Sequence, residues 1–359
     1  MIKIKQNTFF GISLLLLSCQ IEGMELYVAA DGSDSNTGTI DAPFATIMHA
    51  RNTVRKKIAG NYKGNITVSL RGGVYRLEET LVFCLEDSAP EGYNIRYQAY
   101  QNEKPIITSG KLISGWGKLT SYSSELPIVA QGNVWVADIE SAKNWQFRTL
   151  FDGEKMLSRA RSAGFVPTME CPKPSLAHRW EEMNTLGFPE GALRNWDNLE
   201  DVEIFIRPTH QWLVNYLPIE KVDENKGIAT TGVPGTYRLC KVVNKDWDET
   251  CWVENVLEAL DEPGEWVLNS KTGKLYYWPE DGKPSDNISA PVIRELVLVE
   301  GRNVDAVEGD MPVRGLIFDG LTFTGGDRDV WTVEDRGIQH DWDMFDKDNA
   351  LVRFRGAMD

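Results

Sequence analysis

Residues 66–77 read ITVSLRGGVYRL, two short runs of alternating apolar and polar residues separated by a pair of glycines. The same rhythm continues through TLVFCLED at 80–87, YNIRYQAY at 93–100 and PIITSGKLI at 105–113. Alternation of this kind predicts β-strands, and the Gly, Asp, Glu and Pro residues between the runs predict turns. Too few residues separate the strands for crossover helices. The pattern therefore favours a sandwich, a barrel or a stacked solenoid.

A second group of strands in the same style lies near the end of the sequence. It comprises PVIRELVLVEG at 291–301, VRGLIFDGLTFTGG at 313–326 and NALVRFRG at 349–356. Val297 and Ile317 are 20 residues apart, about the length of one coil of a β-helix. This recurrence favours an all-β solenoid, and two unrelated β-domains in series are the alternative.

The residues from about 117 to 290 have a different texture. Their loops are longer, and they contain nine of the twelve tryptophans. We interpret this region as a β-rich domain inserted into a β-helix. Before the first strands, residues 26–59 predict a short strand, a polar loop and a helix. The spacing of Ile47, Ala50, Val54 and Ile58 predicts that one face of this helix is buried.

The first residues have the features of an export signal. Lys3 and Lys5 precede the apolar run FFGISLLLLS, which is too short to span a bilayer. LLSC resembles a bacterial lipobox, which makes Cys19 the predicted lipidated residue; cleavage near Gly23 without lipidation is the alternative. Either way the mature protein is expected outside the cytosol, in the periplasm or as an outer-membrane or cell-surface lipoprotein. Its membrane contact is expected only through the lipid anchor.

An exported protein can form disulfides among its remaining cysteines, Cys84, Cys171, Cys240 and Cys251. Cys240 and Cys251 are the favoured pair because they are close in sequence. Scattered buried thiols are the preferred interpretation over a disulfide framework.

Residues 259–279, ALDEPGEWVLNSKTGKLYYWP, predict a β-hairpin. A turn at Pro263-Gly264 precedes strand 265–269, and a short loop with Gly273 in the left-handed conformation joins it to strand 274–278. Both faces of this hairpin are apolar. We expect it to be a buried wedge between the inserted domain and the β-helix rather than an exposed sugar-binding platform.

These segments occur in an order that resembles that of a known protein family. LYVAADGSDSNTGTIDAPFATIMHAR, ITVSLRGGVYRLEETLVF, YQAYQNEKPIITSGKLISGW, FDGEKMLSRARS and LDEPGEWVLNSKTGKLYYWP follow one another as in right-handed parallel β-helix proteins of bacterial polysaccharide utilisation. The chain most resembles glycoside hydrolase family 141. The resemblance implies a right-handed parallel β-helix with an N-terminal helical cap, an inserted β-rich domain and activity on plant or algal polysaccharide.

On this interpretation the chain divides into a signal at 1–23, the cap and first coils at 24–116, the inserted domain at 117–290 and resumed coils at 291–359. Members of the resembled family continue for several hundred residues more, and their catalytic acids come from later coils. We therefore carry no catalytic residue over from the family, and the sequence is expected to be a truncated N-terminal portion.

The densest polar cluster is GGDRDVWTVEDRGIQHDWDMFDKDN at 325–349, with eight acids against three basic residues between Asp327 and Asp348. Carbohydrate sites combine carboxylates with flat aromatic faces. On one strand, Asp341 and Asp343 would face the same way about 6.6 Å apart, which makes them candidate catalytic residues. The candidate substrate-binding residues are Trp331, His340, Trp342, Asp346 and Asp348. A solvated loop is the alternative.

No cofactor is expected. Calcium is a further possibility at Asp341, Asp343, Asp346 and Asp348, although the EF-hand pattern is absent.

The formal net charge of -15 argues against nucleic acid or an anionic membrane surface as a partner, and a neutral polysaccharide or oligosaccharide fits better. The leading hypothesis is a glycoside hydrolase that uses two carboxyl groups. A polysaccharide lyase on the same fold is the first alternative, weakened because the sequence has no basic cluster to neutralise a uronate carboxylate. A non-catalytic glycan-binding protein or adhesin is the second.

Overall fold

The computed structural model of the protein describes residues 23–139, 145–171, 183–207, 214–242, 251–302, 309–330 and 350–358. The predicted signal with Cys19 lies outside these ranges. So do all the candidate residues of the acidic loop: Trp331, His340, Asp341, Trp342, Asp343, Asp346 and Asp348.

The fold is mostly β. Its first part contains β1 Met24–Val28, α1 Ile47–Ala59, β2 Ile66–Leu70, β3 Gly73–Arg76, β4 Leu81–Phe83, β5 Ile95–Ala99 and β6 Pro105–Thr108. The middle part contains β7 Gly110–Leu112, β8 Gly117–Lys118, β9 Trp135–Asp138, β10 Leu150–Asp152, β11 Lys155–Arg159, β12 Glu170–Cys171, β13 Thr185–Gly187, β14 Glu203–Ile206, β15 Asn215–Asp223, β16 Ile228–Thr231, β17 Lys241–Val242, β18 Cys251–Glu254, β19 Glu265–Asn269, β20 Lys274–Tyr277 and β21 Ile288–Pro291. The last part contains β22 Val297–Glu300, β23 Val313–Arg314, β24 Leu316–Asp319, β25 Thr322–Thr324, β26 Val352–Arg355 and β27 Ala357–Met358.

The first and last parts interleave in parallel sheets. The strand orders are β1-β2-β5-β24, β3-β6-β25 and β4-β22-β26, so the chain visits the three sheets in turn and adds a strand to each. Alternate residues point inward, where Val68, Phe83 and Tyr97 belong to one buried core. We call this part of the molecule the coiled part.

The predicted 20-residue coil interval is wrong. Val297 pairs with Leu81 and Val352, whereas Ile317 pairs with Arg96 in a different sheet. The two residues therefore lie on different sides of a coil. Successive coils also differ in length, because Ile66 pairs with Ile95 while Leu81 pairs with Val297, beyond the whole middle part.

Helix α1 packs on the coiled part as its sequence predicts. Thr46 caps its N-terminus by accepting the amide hydrogen of His49 at 3.1 Å, and Ile47, Ala50 and Val54 are buried in the same core as the coils. Ile58 is partly buried against that core. No helix among the described residues has the length and apolar character needed to cross a bilayer.

The middle part is built from mainly antiparallel sheets. Among the described residues, one sheet has the order β7-β21-β10-β11-β19-β20-β9-β8 and another has the order β13-β16-β15-β14-β18. We call them the eight-stranded and the five-stranded sheet. The middle part is β-rich, as expected, and β7 begins before residue 117. The proposed domain limits stay a prediction.

The predicted hairpin forms from β19 and β20, with Trp266 opposite Tyr277 and Leu268 opposite Leu275. Gly264 and Gly273 have φ values of 92° and 70°, which glycine adopts without strain. The hairpin is buried, but its predicted position as a wedge against the β-helix is wrong. Trp266 and Leu268 enter one core of the middle part and Val267 enters the other, so the hairpin separates two cores within that part.

For Cys240 the structure contradicts both the preferred interpretation of scattered thiols and the favoured pairing with Cys251. Cys240 is disulfide-bonded, but Cys251 retains a buried thiol on the core face of β18. The pairing was favoured only because the two cysteines are close in sequence. In the structure, Cys251 lies in β18, and the pairing of β18 with β14 directs its side chain into the core.

Candidate functional site

The five-stranded sheet has one face packed in an apolar core and a second face that carries polar and aromatic side chains. Ile204, Ile206 and Val253 point into the core. Strand alternation places Glu203 and Phe205 on the opposite face, together with the residues paired with them on the flanking strands. We call this the outer face of the five-stranded sheet.

Three aromatic rings cross the outer face in a row. Phe205 pairs with Tyr216 on one side and with Trp252 on the other. The Phe205 and Trp252 rings are stacked with their centroids 3.6 Å apart, and the Phe205 and Tyr216 rings meet edge to face at 5.2 Å. We call Tyr216, Phe205 and Trp252 the aromatic row.

A cleft of about 570 Å³ opens beside this row. Its walls come from the segment around β11, the outer face, the turn before β19 and the end of the coiled part; they include Arg148, Arg159, Arg161, Tyr216, Glu254, Glu262, Glu265 and Arg328. The cleft thus combines carboxylates, guanidinium groups and an aromatic ring, a composition suited to polar ligands.

The buried carboxylate of Glu203 holds three of these arginines. Arg159 donates to Oε2, Arg328 donates to both carboxylate oxygens, and Nε of Arg148 lies 3.4 Å from Oε1. Burial opposes ionisation of Glu203, but attraction by the three guanidinium groups outweighs it and lowers its pKa to about 2. We call these four residues the Glu203 cluster. It ties together the five-stranded sheet, the eight-stranded sheet and the coiled part.

Asp327 forms hydrogen bonds with two residues of the Glu203 cluster and with Thr149. Its carboxylate accepts the amide hydrogens of Arg148 and Arg328, and the hydroxyl of Thr149 at 3.0 Å. Burial raises the pKa of Asp327 despite these hydrogen bonds. Val330 lines a second cavity of about 690 Å³ beside the first, together with Trp145. Of the residues that precede the predicted acidic loop, Arg328 therefore lines the cleft, and Asp327 and Val330 line the neighbouring cavity.

Glu265 is a buried carboxyl group that lines the cleft. Its side chain is buried, which raises its pKa, although Oε2 accepts the amide hydrogens of Asp261 and Glu262 at 3.1 Å each.

The sequence pattern did not identify this site. Its arginines come from separate segments, so the sequence shows no basic cluster and only the fold assembles one. The alternating pattern of EIFI at 203–206 was the available signal, because it places a charged and an aromatic residue on one face of a strand. Among the described residues, no group of His, Cys, Asp and Glu side chains is arranged to hold a metal ion.

No family model matches the chain. A solved structure described as a glycoside hydrolase superposes with a TM-score of 0.63 and 24% identity, over 85% of this chain and 51% of that one. Pectate lyase PEL9 of Emericella nidulans is 32% identical over 126 residues, which make up 35% of this chain and 27% of that protein. The uncharacterized protein YwoF of Bacillus subtilis is 38% identical over 86 residues, 24% of this chain and 16% of that protein.

The chain thus spans about half the length of the matched structure and smaller shares of the two sequence relatives. It has a mostly β fold like that of a carbohydrate-active enzyme. Since the structural similarity comes with low identity, it is a similarity of fold.

Proposed function

We propose that this chain is the N-terminal part of an exported glycoside hydrolase that acts on plant or algal polysaccharide. Its fold on this proposal is a right-handed parallel β-helix, as in glycoside hydrolase family 141. The parallel sheets visited in turn by the coiled part support the β-helix. Export by a signal at 1–23, with lipidation of Cys19 and a final location in the periplasm or at the cell surface, is part of the same proposal.

The observation that carries the proposal is the cleft beside the aromatic row. A sugar needs hydrogen-bonding groups for its hydroxyls and apolar surface for its ring faces, and the cleft combines the side chains of Glu254, Glu262 and Arg161 with the ring of Tyr216. Glycosidic hydrolysis requires one carboxyl group to protonate the leaving oxygen and a second to act as base or nucleophile.

The catalytic pair is not assigned to described residues. Asp341 and Asp343 stay candidates because the described residues that precede them, Asp327 and Val330, line the cavity next to the cleft. Later coils of a longer protein are the other source that the family resemblance implies.

A polysaccharide lyase is the second candidate, and the arginines of the cleft favour it. Arg161 lines the cavity beside the three arginines that bind Glu203, and it is the one of these four without a carboxylate partner among the described residues. A lyase must neutralise the uronate carboxylate before it removes the neighbouring proton. The basic cluster that the sequence lacks is therefore present in the fold.

A panel of plant and algal polysaccharides distinguishes these functions. The full-length protein that contains this chain is incubated with each glycan, and both new reducing ends and the absorbance of unsaturated uronates are measured. We expect reducing ends without unsaturated products. Reducing ends with unsaturated products would instead establish a lyase, and binding without either product would establish a glycan-binding protein.

A further inference from the structure

Each ring of the aromatic row carries a guanidinium group over it. The Cζ atom of Arg328 lies 4.6 Å from the centroid of the Tyr216 ring. Arg207 lies 5.8 Å from the Phe205 ring and Arg161 lies 5.3 Å from the Trp252 ring. We call the three arginines with their rings the arginine–aromatic row.

Stacking on a ring orients a guanidinium group without using its hydrogen-bond donors. The interaction occupies the flat face of the group, so the N–H bonds at its edge stay available in one plane. These edges match the two oxygens of a carboxylate, or two oxygens of a sulfate, in bidentate geometry.

The arginines of the row differ in whether their charge is already compensated. Arg328 is bound to Glu203 through two hydrogen bonds. Arg161 and Arg207 are exposed, and neither has a carboxylate within 4 Å among the described residues. By contrast, the partly exposed Arg71 and Arg96 are paired with Glu103 and Asp319.

The two uncompensated arginines lie on neighbouring parts of one sheet. Arg207 directly follows β14, and Arg161 bridges to Glu254 at the outer edge of β18, the strand beside β14. Adjacent strands are about 4.8 Å apart, so the row extends over more than one strand spacing and exceeds a single small anion in length. Asp261, Glu262 and Glu265 line the cavity near Arg161 without pairing with it.

We propose that the arginine–aromatic row binds an anionic glycan, with Arg161 and Arg207 receiving its carboxylate or sulfate groups. The inference rests on the proposed function, because it names the substrate class of the same cleft. The net charge of -15 favoured a neutral ligand. The local positive charge of Arg161 and Arg207 favours an anionic ligand instead, because the charge at a site decides what that site binds. Nucleic acid is a different polyanion, and the oligonucleotide among the probes below tests for it.

Calorimetric titration of the full chain with defined oligosaccharides tests this inference. The probes are hexagalacturonate, its fully methyl-esterified form, a sulfated galactan hexasaccharide, a neutral galactan hexasaccharide and a single-stranded oligonucleotide. We expect binding of hexagalacturonate, loss of binding on esterification, and weakening of binding by added salt. Binding of the sulfated probe as well identifies the ligand as any anionic glycan, and its failure restricts the ligand to uronates.

The variants Arg161→Gln and Arg207→Gln are each expected to weaken hexagalacturonate binding about tenfold, which corresponds to about 1.4 kcal/mol. Arg161→Lys keeps the charge but loses the planar fork, so it is expected to recover only part of the affinity. Arg302→Gln is the matched control, because Arg302 is exposed like Arg161 and Arg207 but lies over none of the rings of the aromatic row. Melting temperatures verify that each variant is folded.

Equal binding of the neutral and charged hexasaccharides would overturn the inference. So would equal losses in the Arg161→Gln and Arg302→Gln variants, or preferred binding of the oligonucleotide. The inference and the proposed function fail separately. If no glycan is cleaved but Arg161→Gln abolishes uronate binding, only the hydrolase proposal fails. If a neutral glycan is cleaved equally by the Arg161→Gln variant, only the inference fails.

Discussion

Replacing Glu203 by Gln is expected to lower the free energy of unfolding by about 3–5 kcal/mol. Glu203 is only 2% exposed, and its carboxylate is bound by Arg159 and Arg328 with Arg148 close by. Glutamine keeps the size of the side chain but removes the negative charge, which leaves three guanidinium groups near one another without compensation. Denaturation in urea, followed by tryptophan fluorescence, measures the loss.

The same variant is expected to change how stability depends on pH. The pKa of Glu203 is about 2 in the folded protein, below the usual value of 4.5, so its contribution is fully present above pH 4.5 and is lost as pH falls towards 2. The difference in pKa corresponds to about 3 kcal/mol. The stability of the Glu203→Gln variant should therefore decline less steeply than that of the natural protein over this range.

Glu220→Gln is the matched control for both measurements. Glu220 is exposed on β15 of the same sheet, where a change of charge is expected to alter stability by less than about 0.5 kcal/mol. If the two variants lose the same stability, the Glu203 cluster does not hold the sheets and the coiled part together. A pH profile of Glu203→Gln identical to that of the natural protein would contradict the depressed pKa.

The contrast between the hairpin and the Glu203 cluster explains what the sequence could predict. The register of β19 and β20 follows from two glycines and a period of two, all within one short segment. The partners of Glu203 come from other segments and meet only because distant strands pair. The acidic loop is a different case, because its composition predicted a carbohydrate site. The described residues that precede it, Asp327 and Arg328, instead form hydrogen bonds with structural partners.

Coil register was unpredictable for a related reason. The strands of the coiled part have similar patterns, so alternation identifies each strand but not its partner. Leu81 pairs with Val297 only because the whole middle part leaves and returns at one corner of a coil. The number of residues between two similar strands therefore does not show whether they belong to the same sheet in successive coils or to different sheets of one coil.

Replacing Trp266 by Ala is expected to cost about 3–5 kcal/mol in the free energy of unfolding. Trp266 is 0% exposed and is the largest of the fully buried side chains. Its ring lies 5.8 Å from that of Phe147, and its indole nitrogen donates to the carbonyl oxygen of Leu157 at 3.3 Å. Removal of the ring leaves a cavity in a packed core and removes this hydrogen bond.

Trp266→Ala also removes the aromatic surface next to Arg159, whose Cζ atom lies 6.0 Å from the ring. Trp266→Phe is the graded control, since it retains most of the volume and is expected to lose less stability than Trp266→Ala. Urea denaturation of both variants is compared with their affinity for hexagalacturonate under folding conditions. Because the hairpin is buried between two cores, Trp266→Phe should lose stability while it retains glycan affinity. The reverse result, unchanged stability with lost affinity, would make the aromatic hairpin a binding platform and move the proposed glycan site away from the outer face of the five-stranded sheet.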